Sequence, residues 1–81
     1  MKDIRLNIIT PEKTLVDEDV DNVTLPGSLG PFEVLKDHAP IISSLEKGKI
    51  SYRTDGEMHE VEISSGFAEV RDNLVSVCVE I

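Results

Sequence analysis

Residues 49–64 read Lys49-Ile50-Ser51-Tyr52-Arg53-Thr54-Asp55-Gly56-Glu57-Met58-His59-Glu60-Val61-Glu62-Ile63-Ser64. Asp55-Gly56 is the strongest hairpin signal in the chain, because a type I′ turn needs positive φ at both central residues and Asp and Gly tolerate it. The flanking runs, near 49–54 and 57–64, are therefore expected to be paired antiparallel strands, with Val61 and Ile63 alternating against Glu60 and Glu62. Asp72-Asn73 is a weaker signal of the same kind and places two more strands near 67–71 and 74–80, so residues 49–81 read as a meander.

The same alternation recurs toward both termini. Ile4, Leu6 and Ile8 alternate with Arg5 and Asn7; Val75, Val77, Val79 and Ile81 alternate with Ser76, Cys78 and Glu80. Ile81 falls in phase with the last run and is expected to be a sheet residue. Nine Val, eight Ile and four Thr against two Ala favour a pleated surface over a helix, because β-branched side chains are stiff at χ1. Pro26-Gly27, Gly30-Pro31, Lys47-Gly48 and Ser65-Gly66 supply further turns, and strands are expected near 3–9, 13–17, 20–26, 32–35 and 41–46. The expected fold is all-β, a two-sheet antiparallel β-sandwich of about eight to ten short strands.

With 81 residues, the chain makes one domain, 1–81, without a linker or repeat. Eight Lys+Arg against 16 Asp+Glu give a net charge of -8, which repels a phosphate backbone and argues against nucleic acid as a partner. Cys78 is the only cysteine, so neither an internal disulfide nor a thiolate-rich zinc site is available, and it is expected to be a buried, inert small residue. No run of 18 apolar residues and no signal-peptide pattern occurs, so direct membrane insertion is not expected.

Chemical motifs fail on inspection. Asp17, Asp19 and Asp21 match the start of a calcium loop, but Asn22 replaces the required Gly and Ser28 the required Glu. The triplet reads as a solvated turn or a charged edge strand. Gly48-Lys49 is followed by Ile50 where a phosphate-binding loop needs Ser or Thr. His38 and His59 are too few for a catalytic zinc; Asp37 and His38 are neighbours that a strand points to opposite faces, and His59 is expected to be exposed in its polar stretch. No cofactor and no catalytic residue is indicated.

One stretch stands apart. Residues 25–42 hold three of the four prolines and two glycines beside Leu29, Phe32 and other aliphatics. Rigid apolar residues in a loop suit a contact surface, and equally a cap over the sandwich core. A free-standing small-ligand-binding β-sandwich and a small hydrolase using His38 are the competing readings.

This stretch, with its continuation through Gly48-Lys49-Ile50, resembles the signature of the ε subunit of F-type ATP synthases, called δ in mitochondria: a Gly-x-x-Gly turn, an apolar strand, His-Ala-Pro, and a strand ending in Gly-x-Ile. Ile4-Arg5-Leu6-Asn7-Ile8-Ile9-Thr10-Pro11-Glu12 resembles the family's first strand and turn, and Ser65-Gly66-Phe67-Ala68-Glu69-Val70 its Ser-Gly-Gly-Phe-x-Glu-Val segment. The resemblance implies two five-stranded sheets in a non-catalytic rotor subunit of the central stalk. Such a subunit binds γ and docks on the c-ring, so that proton-driven rotation reaches the catalytic α and β subunits. It implies a peripheral location in the synthase, on the cytoplasmic face of the cell inner membrane. His38, with Ala39 and Pro40, matches the γ contact; Gly27, Ser28, Leu29, Gly30, Pro31 and Phe32 match the loop facing the c-ring, with Glu33 expected to supply its carboxylate. Pro31 and Lys36-Asp37 depart from the family pattern. Many bacterial members continue into a C-terminal helical hairpin, whereas this sequence resembles the β-sandwich domain alone and is expected to be a short form.

Overall fold

The computed structural model describes residues 2–81. Among them run nine strands and no helix: β1 (Ile4–Ile9), β2 (Thr14–Val20), β3 (Asn22–Leu25), β4 (Phe32–Val34), β5 (Ile41–Leu45), β6 (Gly48–Thr54), β7 (Glu57–Ile63), β8 (Ser65–Arg71) and β9 (Leu74–Glu80). Five form one sheet in the order β2-β1-β9-β8-β5, and four a second in the order β4-β3-β6-β7. The all-β sandwich expected from the sequence is the observed fold.

The two hairpin signals act as their chemistry dictates. Asp55 and Gly56 have φ of 53° and 79°, Asp72 and Asn73 of 52° and 62°, so both turns are of the primed kind that matches strand twist. The alternation also sets the faces: Ile4, Leu6 and Ile8 of β1 and Val75, Val77 and Val79 of β9 are buried. They pack with Ala68, Val70, Val23, Leu25, Ile50 and Tyr52 into one core. Each fully buried aliphatic side chain contributes about 1.5–3 kcal/mol relative to exposure.

Four expectations are corrected. Residues 49–81 are not a continuous meander, because β6 and β7 pair in one sheet and β8 and β9 in the other. Ser64 makes the crossing, its N–H and hydroxyl both donating to the Glu80 carbonyl. The sandwich is antiparallel except for β1 and β9, which pair parallel from Arg5↔Leu74 to Ile9↔Cys78. The second sheet has four strands among the described residues, not five, and Gly27 makes only a single bridge, to Leu45 of the larger sheet. Pro26 offers no N–H and Gly27 donates locally to the Leu25 carbonyl, so the chain turns instead of extending. Finally, β9 ends at Glu80, leaving Ile81 beyond the ladder and 73% exposed.

The acidic triplet belongs largely to an edge. β2 extends through Asp17, Glu18 and Asp19 to Val20 and lies at the margin of the larger sheet. Arg5 on β1 reaches across to it, 2.8 Å from Asp17 and 3.2 Å from Asp19. Exposed pairs of this kind add little stability, but charges along an edge deter pairing with a second chain.

Candidate functional site

The chain between β3 and β6 links the edges of both sheets, β4 in the smaller and β5 in the larger. Ladder registers fix where its two loops lie. Leu25 pairs with Phe32 and Gly27 with Leu45, so the 26–31 loop lies at the Leu45 end of β5. Ile41 pairs with Val70, so residues 35–40 lie at the other end, beside the Asp72-Asn73 turn. The five residues of β5 separate the two loops by about 14 Å at the strand's rise per residue. The structure thus brings the two candidate clusters to opposite ends of one edge.

The 26–31 loop is tightly tied. The Gly30 N–H donates to the Gly27 carbonyl, Ser28 N–H to the Ser44 carbonyl, and Glu46 N–H to the Pro26 carbonyl, at 3.0, 3.0 and 2.8 Å. The Ser44 hydroxyl donates to that of Ser28 at 2.8 Å. This framework holds Leu29 fully exposed, with Gly30 and Pro31 also in solvent, whereas Phe32 is half-buried against the core. The two apolar residues therefore divide the alternatives left by the sequence: Leu29 is surface and Phe32 is largely core. Glu33 is exposed, but it stands on the outer face of the smaller sheet opposite Thr24, off the loop tip.

At the other end, the His38 N–H donates to the Leu35 carbonyl at 3.1 Å and closes a turn over Lys36-Asp37. His38 is half-buried, while Ala39 and Pro40 are exposed. His38 Nδ1 lies 2.6 Å from the Ala39 carbonyl oxygen; since a carbonyl only accepts, Nδ1 is the donor, and Nε2 takes no part in the contact. Asp37, His38, Pro40, Asp72 and Asn73 line a depression of about 380 Å³.

Two side chains lie elsewhere than expected. Cys78 is exposed, because the alternation that buries Val77 and Val79 turns it outward. His59 is partly buried, stacked on Tyr52 with ring centroids 5.2 Å apart, because β7 points residues 59, 61 and 63 inward. The Tyr52 phenol is pushed above its ordinary value by burial and, secondarily, by the Glu18 carboxylate.

The outer faces of the sheets differ in chemistry. On the larger sheet, Ser44, Phe67, Cys78 and Ile9 stand side by side across β5, β8, β9 and β1; Ile42 lies in the next row with Glu69, Ser76 and Asn7, and Leu74 in the row beyond, between Arg71 and Arg5. Phe67 is 52% and Ile42 65% exposed. Pro40, Ile41, Ile42, Glu69, Val70 and Arg71 line a second depression of about 330 Å³ next to the histidine loop. The smaller sheet presents mainly charge, Glu33, Lys49, Arg53, Glu60 and Glu62, with Met58 beside Arg53. The apolar face was not anticipated from the sequence, although its signal was present: Phe67 is out of phase with buried Ala68 and Val70. Among the described residues no cluster of three or more His, Cys, Asp or Glu could hold a metal.

Comparison with known proteins gives a consistent match. The family described as "ATP synthase, Delta/Epsilon chain, beta-sandwich domain" matches residues 3–81. An ATP synthase epsilon chain of Nitratidesulfovibrio vulgaris is 46% identical over 79 residues, covering 98% of this chain and 59% of the relative. That of Citrifermentans bemidjiense is 40% identical over 77 residues, covering 95% and 56%. This chain thus spans little more than half the length of these relatives. A chain of the Euglena gracilis mitochondrial ATP synthase structure (OSCP/F1/c-ring) superposes with a TM-score of 0.89 at 26% identity, covering 98% of this chain and 51% of that one. A chain of the Tetrahymena thermophila mitochondrial ATP synthase central stalk/c-ring structure shares the fold, with a TM-score of 0.81 at 15% identity over 98% of this chain and 64% of that one.

Proposed function

Since this chain belongs to the ATP synthase delta/epsilon-chain β-sandwich family, we propose that it is a non-catalytic rotor element of the central stalk that binds γ and docks on the c-ring. The observation that carries this reading is the asymmetry of its two outer faces. One sheet exposes an apolar row of Phe67, Cys78 and Ile9, with Ile42 in the next row toward the His38-Ala39-Pro40 loop, and exposed apolar residues set together in this way suit burial against a protein partner. That face is the γ-binding surface, with His38 at its margin. The Leu29 loop at the far end of the same edge meets the c-ring, so one close-packed body touches both partners and transmits torque between them. Its location is peripheral, within the membrane-bound synthase on the cytoplasmic side, and its link to the α and β subunits is indirect, through γ.

Co-expression with the γ subunit of the same organism, followed by size-exclusion chromatography at low and high salt, tests this function. A one-to-one complex that survives high salt, is lost on Phe67→Glu and is kept on Glu60→Gln is the expected result, because apolar contacts are not screened. Failure of two folded partners to associate would refute the reading.

A further inference from the structure

Asp37 is a non-glycine residue at φ 63°, the third residue of the Leu35–His38 turn closed by the His38 N–H. Lys36 is not among the positive-φ residues, so the turn has the type II pattern, which favours Pro at its second position and Gly or Asn at its third. Lys36-Asp37 supplies neither preference: Asp enters the left-handed region more readily than most side chains but less readily than Gly. Nothing local holds the turn as Pro-Gly would.

The compensation comes from 36 residues away. The Asp37 N–H donates to Asn73 Oδ1 at 2.7 Å, and Asn73 Nδ2 lies 3.3 Å from Asp37 Oδ1. Asn73 is itself fixed: it occupies the second central position of the β8–β9 turn at φ 62°, and its carbonyl accepts from Arg5 N–H at 2.9 Å. A side-chain amide on a rigid hairpin thus grips both the backbone and the carboxylate of the residue preceding His38.

We propose that Asn73 is a positioning residue for the partner-binding loop: through Asp37 it holds the Leu35–His38 turn, and so presents His38, Ala39 and Pro40 in the geometry that γ meets. This inference rests on the reading of that loop as a γ contact. It adds a residue that touches no partner itself and acts by reducing the conformational freedom the loop would otherwise lose on binding.

The test uses three variants of the full chain: Asn73→Gly, His38→Ala, and Asn73→Gly combined with Lys36→Pro and Asp37→Gly. Glycine at 73 keeps the positive φ that the hairpin needs, so Asn73→Gly folds and loses only the amide. Amide hydrogen exchange at Asp37 and His38 is expected to rise about fivefold or more in Asn73→Gly, with Val75 and Val77 unchanged, and γ affinity to fall about fivefold to tenfold. The triple variant, whose turn is held locally, is expected to recover γ affinity without recovering Asn73. Unchanged exchange at Asp37 would overturn the clamp whatever γ does. Faster exchange with unchanged γ affinity, while His38→Ala weakens binding, would overturn the positioning role. If His38→Ala leaves binding unaltered, the γ reading of this loop fails and the positioning role with it, while the exchange data still decide the clamp.

Discussion

A Cβ added to Gly27 would stand 2.9 Å from Cε1 of Phe32 and 2.7 Å from the carbonyl oxygen of Gly30. The close approach lets the loop fold back over a half-buried aromatic ring while Leu29 points into solvent. The backbone has little room to yield, because Gly27 also accepts from Gly30 N–H and bridges Leu45. Gly27→Ala is expected to cost about 1–3 kcal/mol, by analogy with overpacked cores, read as a shift in urea midpoint at constant slope. An unchanged midpoint would show that the loop is free to move.

Leu29 and Phe32, three residues apart, separate docking from folding. Leu29→Asp is expected to change the stability of the free domain by less than about 0.5 kcal/mol, since the side chain touches no core, and to weaken capture on a γ/c-ring assembly. Phe32→Ala is expected to destabilise the free domain by about 2 kcal/mol, less than a fully buried ring because it is only partly covered. Equal destabilisation by both would contradict the division between surface and core.

Alkaline pH acts through Tyr52. In the folded state burial, and then the Glu18 carboxylate, raises its phenol above the ordinary tyrosine value, so the native chain holds the phenolic proton more tightly than the unfolded one. The stabilisation is complete below the unfolded value and is lost as pH rises through the folded one. Urea midpoints of the native chain should therefore fall more steeply above about pH 10 than those of Tyr52→Phe. Parallel curves would remove Tyr52 as the cause.

Cys78 provides a footprint of the apolar face. Because it is exposed between Phe67 and Ile9, a thiol reagent is expected to label the native chain to the same stoichiometry as the unfolded one. Bound γ is expected to slow that labelling at least about tenfold, as burial in an interface core does. Labelling unaffected by a bound γ would move the interface to another face.

The sequence alone determined the elements, their faces and their turns. Alternation in Ile4-Arg5-Leu6-Asn7-Ile8 and in Val75 to Val79, and the positive-φ tolerance of Asp55-Gly56 and Asp72-Asn73, are short-range properties decided within one strand or turn. The ordered motifs around His38 also pointed to the family that the comparison shows. The tertiary structure decided what depends on which strand lies beside which: the sheet change at Ser64, the parallel β1–β9 pair, the apolar row of Phe67, Cys78 and Ile9, and the grip of Asn73 on Asp37. No local pattern encodes these, because a pairing between distant residues is fixed by burying all the apolar faces of both sheets at once, and the loops and outer surfaces fall where that packing leaves them.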